Sequence, residues 1–526
     1  MTATNWKREA ARLLGAGLAM CALLASPAAR AEWWEAKTAH FVVYSESDRD
    51  DAEKFATLLE RFDNALRTLQ NMPVPGPDVG SANKVKVYRS GDTDNIAVFA
   101  HASGSGVAGF YIGRAGNPVS FVPAHERIET SKGIRTGPRL DIKSVLLHEY
   151  THHFMLSNFS TAYPSWYTEG FAELYSTIRF MDDGSFHVGD VPQSRGAALD
   201  FLPDIPLERL FDTKASLNDI QRYQVYTFGW LLSHYLNFAP DRQGQLVAYL
   251  KALNSGEDSL TAAKRIFGDL GQLQKEVRRY KRGPFLGYDV KPGNYVEPKV
   301  AMRELTDAEE ALIRDHMRSQ RGVDAKEARD VASDMTGKDA AWPESMPAQL
   351  WVGEAQIDAK NWDAAEAAAD RALLLDPDSA PAHLLKANVF MGRGETDRSA
   401  YAKARPHFVR ARNLDPLDPR PAIGYYLSFR EAGEPVPEAA LIALEQVYPN
   451  ASYDPQYRLV LTRQLLDEGK GDIARSVIAP IAFQAHAGKE ENLLLAVVKA
   501  IDEGKLDEAR TKMAEIFRKA KEEEEG

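Results

Sequence analysis

Two periodicities divide the chain. Between His40 and Pro123 the apolar positions alternate in short runs: His40 to Ser45, Lys84 to Tyr88, Gly106 to Ile112 and Val119 to Pro123. Alternation with period two predicts strands, and the last two runs read as a hairpin or as neighbours in one sheet. Between the first two runs, Phe55, Leu58, Leu59, Phe62, Leu66 and Leu69 recur three or four apart, which predicts a helix over Asp50 to Gln70. Met72 to Asp78, rich in proline, is a loop. From Leu140 the helical period takes over. Ile142, Val145, Leu146 and Leu147 share one helix; Tyr163 to Tyr167 reads as a turn, and Thr168 to Glu173 opens a second. Met181 to Pro206, with its Gly, Asp and Pro, reads as a loop walling a cleft. Tyr223 to Leu236 reads as a buried helix, and Gly256 to Leu260 caps a further helix pair ending near Tyr280. Residues 283–345 read as a mixed connector, a strand-like piece followed by a charged helix from Thr306.

From about Met346 the chain is helical and rich in alanine. Gly353, Ala365, Ala372 and Pro377 fall at the positions of a tetratricopeptide-like, 34-residue repeat. Ala404, Phe408, Ala411 and Pro416 repeat the second half displaced by 39 residues, so five residues are inserted near Gly392 to Tyr401. A third unit ends near Pro449, and Asp472 to Ala479 and Asp502 to Ala509 look like degenerate units. Such units bury their apolar faces only against one another, which predicts a solenoid with a concave surface. That surface suits a protein partner; serving as a buttress for the preceding domain is the alternative. The division expected is 1–31, 32–290, 291–345 and 346–526, with an α+β fold followed by an all-α one.

Composition narrows the function. A formal net charge of −11 and the lack of any basic run argue against nucleic acid and anionic membranes as partners. Lys7, Arg8 and Arg12, the apolar run Leu13 to Ala25 and Ala29-Arg30-Ala31 read as a secretory leader with cleavage before Glu32. The run is too short to span a membrane. Cys21, the single cysteine, lies in that run behind Met20 rather than a small residue, so lipidation is not expected. The mature chain then has no disulfide. A periplasmic or secreted protein without stable membrane insertion is the expectation.

The chemistry sits in Leu140 to Tyr175, which includes His148-Glu149-Tyr150-Thr151-His152. Residues four apart lie on one helix face, so His148 and His152 can aim ring nitrogens at one point. Zinc accepts such nitrogens at about 2.0–2.1 Å, and a catalytic zinc wants a third protein ligand and one open position. Glu169, after sixteen intervening residues, is the candidate. Glu149 is placed to act as general base toward water at the metal. Glu173, four residues beyond Glu169, suits a hydrogen bond to a ligand histidine's second nitrogen. His153 points about 100° away from the pair and belongs to the support or the core.

His148 to His152 followed by Trp166-Tyr167-Thr168-Glu169-Gly170-Phe171-Ala172-Glu173 resembles the gluzincin metallopeptidases, closest to the peptidase MA-like group that precedes tetratricopeptide repeats. The resemblance covers roughly Trp33 to Tyr288, with the metal motifs specific and the rest loose. It implies a thermolysin-like domain, Zn2+ as cofactor and a peptide or protein substrate. It also implies an edge strand that holds extended substrate, either Val119 to Val122 or Gly106 to Tyr111. Val225-Tyr226-x-x-Gly229 is similar to the aminopeptidase gluzincins, where that tyrosine donates to the oxyanion; His234 is the alternative donor. The chain lacks a Gly-Ala-Met-Glu-Asn type segment for gripping a free amine, which favours an endopeptidase. A repeat scaffold with a non-catalytic metal site, or a zinc hydrolase of non-peptide amides, are the rival readings.

Overall fold

The computed structural model describes residues 32–101, 109–125, 142–213, 217–293, 295–483 and 493–525. The leader expected at 1–31 lies outside them. Six strands form the main sheet: β1 (Trp33–Lys37), β2 (Phe41–Glu46), β3 (Val85–Arg89), β4 (Phe110–Ile112), β5 (Val119–Val122) and β9 (Ala301–Glu304). Their order is β4-β5-β3-β2-β1-β9. β2, β3 and β5 run parallel, while β4, β1 and β9 pair antiparallel with their neighbours. β6 (Arg179–Phe180), β7 (Phe186–Val188) and β8 (Tyr288–Val290) form a second, three-stranded sheet.

Period-two alternation decides what each face of the main sheet touches. Phe41, Val43, Val85 and Val87 point to one face and pack with Leu59, Phe62 and Leu66 of helix Arg49–Leu69 and with Leu147, Tyr150 and Phe154 of helix Ile142–Asn158. Tyr88, Val119 and Phe121 point to the other face and meet Ile313 and Met317 of helix Asp307–Arg321. The sheet is thus a middle layer between two helical layers. Arg303 on β9 ties this arrangement together, donating to Glu35 on β1 at 2.6 Å and to Glu309 at 2.7 Å.

Several expectations change. β1 and β9 extend the sheet, so the segment read as a connector from residue 291 completes it and covers its second face. Val119–Val122 is an interior strand, paired on both sides; β4 is the edge on that side. Tyr163 to Tyr167 is only partly a turn: Pro164, with φ −65° and ψ 149°, is the N-cap of helix Ser165–Tyr175. Met181 to Pro206 holds β7 and helix Gln193–Phe201, not a bare loop. The helix read as starting at Tyr223 starts at Asp219, where Asn218 and Gln221 form a capping box.

Helix pairs in series make up the C-terminal part. Met346–Asp358 and Trp362–Leu375 have 13 and 14 residues, and Ala380–Gly394 and Ser399–Leu414 have 15 and 16. The five inserted residues therefore lengthen each helix by two and the turn between them by one. Small residues let the pairs approach: a side chain at Gly353 would meet Leu385 at 2.5 Å. Among the described residues no helix is long and apolar enough to cross a membrane.

Candidate metal centre

Three side chains from two helices converge. His148 and His152 lie one turn apart on Ile142–Asn158, and Glu169 lies on Ser165–Tyr175. Their ligand atoms form a triangle: Nε2 of His148 to Nε2 of His152 is 3.1 Å, and each Nε2 is 3.4 Å from Oε2 of Glu169. Tetrahedral ligands about 2.0–2.1 Å from one centre stand about 3.3–3.4 Å from one another, so the triangle has the size that zinc requires. Two histidine nitrogens and a carboxylate are also a donor set zinc takes.

The surroundings favour positive charge there. Burial pulls the His148 imidazolium down, but the Glu169, Glu173 and Glu149 carboxylates outweigh it and hold its pKa at about 9. Burial works to raise the Glu169 carboxyl, and the two histidines overcome it and keep that carboxyl ionised far below its ordinary range. Oε1 of Glu173 stands 3.4 Å from Nδ1 of His148. The Nδ1 proton faces that carboxylate, and a metal displacing the Nε2 proton would find that nitrogen's lone pair in the triangle. Glu149 follows His148 on the same helix and is part-exposed, beside the triangle rather than in it.

Tyr226 stands across from the pair, its ring stacked at 6.3 Å from that of His148. Burial, then the charges of Glu169 and Glu149, push its hydroxyl well above the ordinary tyrosine value, so it stays an O–H donor. Two glycines bring its helix there. A side chain at Gly170 would lie 2.3 Å from the Gly229 carbonyl, and one at Gly229 would lie 2.4 Å from the Trp166 carbonyl. The glycine of each motif is thus the contact point of the two helices, and Glu169 and Tyr226 ride beside it.

His234 does not reach the site. It is fully buried, with Nδ1 2.8 Å from the Tyr280 hydroxyl and Nε2 3.0 Å from the Gly189 carbonyl. Both nitrogens being engaged, the alternative oxyanion donor falls away. His153 is buried too, 2.6 Å from the Tyr111 hydroxyl on β4.

One residue escaped the sequence reading. Arg195, on helix Gln193–Phe201, holds Glu173 with two nitrogens at 2.9 and 2.7 Å. Its guanidinium also lies 5.0 Å over the Tyr226 ring. It therefore contacts both the carboxylate behind His148 and the tyrosine whose ring stacks on that histidine. No spacing rule points to it, because it comes from a segment that reads as loop.

No family model matches the chain, and no curated protein does. A solved structure from the functional characterisation of Pseudomonas aeruginosa pilF is similar at 16% identity, covering 40% of this chain and 93% of that one, with a TM-score of 0.31. At that score the likeness carries no weight for fold or function; the helix pairs themselves define the repeat region.

Proposed function

We propose that this chain is an exported zinc-dependent peptidase, an endopeptidase of the gluzincin kind, followed by a tetratricopeptide-like repeat array that also offers a surface to a protein partner. The observation that carries the reading is the triangle of His148, His152 and Glu169 at 3.1, 3.4 and 3.4 Å, with Glu149 beside it. These three side chains would hold the ion. Zinc, when bound, supplies Lewis acidity that lowers the pKa of water and polarises a carbonyl. Glu149 takes the proton from the attacking water and returns it to the leaving amine. Tyr226, protonated and held by Arg195, donates to the carbonyl oxygen as charge develops on it. Glu173, itself held by Arg195, keeps His148 in the tautomer that presents Nε2. The edge strand β4 is the place for an extended substrate to add as a further strand. The leader-like N-terminus supports the periplasm or the exterior as the site of action.

Metal analysis of the purified protein tests this. About one zinc per chain is expected, lowered in both His148→Ala and Glu169→Ala, together with cleavage in a proteome-wide substrate screen. Full zinc occupancy in both variants overturns the metal assignment. A zinc-loaded protein that cleaves nothing, with Glu149→Gln indistinguishable from it, leaves a repeat scaffold with a non-catalytic metal site.

A further inference from the structure

One corner of the repeat array, Ser452 to Arg458, touches two elements that carry the proposed chemistry. The Ser452 hydroxyl donates to the Leu156 carbonyl at 2.9 Å, and Arg458 donates to the same oxygen at 3.4 Å. Leu156 lies in the last turn of the helix that carries His148 and His152, where carbonyls have no partner within their own helix. The array thus caps the metal-binding helix.

The same corner grips the turn between β4 and β5. The Ala115 amide donates to Asp454 at 2.8 Å and the Gly116 amide to the Tyr453 hydroxyl at 3.2 Å. That hydroxyl in turn donates to Asn83 at 3.1 Å. The contact is close: a side chain on Gly113 would stand 2.7 Å from the Tyr453 carbonyl. His153, on the metal-binding helix itself, faces this corner. Its ring lies 4.6 Å from that of Tyr453, and its Nδ1 lies 2.6 Å from the hydroxyl of Tyr111, the middle residue of β4.

β4 needs such support. It has three residues and, among the described residues, pairs only with β5. A three-residue antiparallel pair is too short to hold its own register firmly. Yet a substrate strand laid on β4 must place one carbonyl against the metal helix within a fraction of an ångström.

We propose that Tyr453, His153 and Tyr111 form a positioning relay through which the repeat corner sets β4, and the peptide substrate bound along it, against the metal-binding helix. The site is then incomplete without the repeats. The proposal rests on the peptidase reading for its substrate, though not for its structural core.

Full-length variants test it by hydrogen–deuterium exchange, zinc content and steady-state kinetics on an extended peptide. In Tyr453→Ala, exchange at Phe110 to Ile112 should rise by roughly 10–100-fold, the span that loss of a modest local constraint allows. Zinc should stay at the wild-type level, and KM should rise roughly 10-fold or more with a smaller change in kcat, because alignment rather than chemistry is lost. Tyr453→Phe keeps the ring on His153 and should retain most of the wild-type KM. Tyr111→Phe cuts the relay at its other end, and combined with Tyr453→Ala it should add little, the sign of residues acting in one unit. Unchanged exchange at Phe110 to Ile112 in a folded Tyr453→Ala protein overturns the relay. Equal losses in Tyr453→Phe and Tyr453→Ala overturn it as well, by assigning the effect to the hydroxyl's bonds instead of the ring. Should Tyr453→Ala not fold, exchange in Tyr111→Phe decides the question. A wild-type protein that holds zinc but turns over nothing sinks the peptidase reading, and the exchange data still judge the relay.

Discussion

Two clusters of histidine and carboxylate lie in the same domain, His148–His152–Glu169 and His40–Glu60–Asp63, each with its ligand atoms within 4.8 Å of one another. Residue types and spacing do not separate them; their remaining partners do. In the second cluster the carboxylate oxygens are taken. Asp63 accepts from Arg67 at 2.6 Å and from the Tyr150 hydroxyl at 2.7 Å. Glu60 accepts the His40 amide at 3.0 Å and lies 2.7 Å from Nδ1 of the same residue. All five side chains are buried. Arg67 is already a cation of that cluster and engages Asp63, while the carboxylates are turned to the Nδ1 side of His40 and its Nε2 is buried without a partner. In the first cluster, His152 and Glu149 remain partly exposed, and the two histidine nitrogens and the Glu169 oxygen face one another. A metal-competent group differs from a structural ion cluster in whether its ligand atoms converge on one point that is open on one side. Tyr150 touches one cluster and His148 the other from the same helix, two residues and about 200° apart.

The sharpest way to break the comparison is Glu149→Gln. It keeps shape and should keep zinc while lowering kcat by roughly 10²–10⁴-fold, the span for loss of a general base. Wild-type turnover in this variant would place the chemistry elsewhere. Next in size is Tyr226→Phe, which removes one hydroxyl. Zinc content and stability should hold while kcat falls by roughly 10²–10³-fold and KM moves little. An unchanged kcat would make Tyr226 a packing residue.

A smaller effect belongs to the support. Arg195→Gln releases Glu173 from its two bonds and should weaken zinc binding by roughly 10–100-fold in a chelator competition. Glu173→Gln should weaken it similarly, and the double variant should be far from additive because both act through His148. Additive losses would show that Arg195 works by another route.

The smallest change should come from the other cluster, and only in stability. His40→Ala should leave zinc stoichiometry as it is and destabilise the fold by about 1–3 kcal/mol, the cost of stranding a buried partner. Glu60→Gln should behave likewise. For the His40 ring, burial is outweighed by Glu60 and Asp63, and the pKa rises above 6.5; for Glu60, burial is outweighed by His40, and the pKa falls below 4.5. The histidine's contribution is therefore full below about pH 6.5 and is lost as pH rises through its raised value. The glutamate's contribution is full above about pH 4.5 and is lost as pH falls through its lowered value. Denaturant melts of wild type and His40→Ala should differ most between about pH 4.5 and 6.5 and converge at alkaline pH. A pH-independent gap, or a lost zinc, would contradict the separation of the two clusters.

What the sequence determined by itself is what depends on short range. Helical period places His148 and His152 on one face with Glu149 beside them, and a second helix presents Glu169 and Glu173 together, whatever the rest of the chain does. Helix pairs at a 34-residue period, and even the five-residue insertion, are legible for the same reason. Tertiary structure decided the rest. Val119–Val122 alternates as well as any edge strand, and only the pairing of β4 outside it makes it interior. The strand-like piece before Thr306 does not announce its partner: Ala301–Glu304 pairs with β1, far upstream in the chain. Arg195 and Tyr453 matter through contacts with Glu173 and His153, residues distant from them in sequence. Hydrogen bonds and ring contacts of that kind form only after packing has brought separate elements together, so no local pattern announces them. Composition changes near Met346, but only the packed structure shows that the repeats touch the part before them, the Ser452 hydroxyl donating to the Leu156 carbonyl.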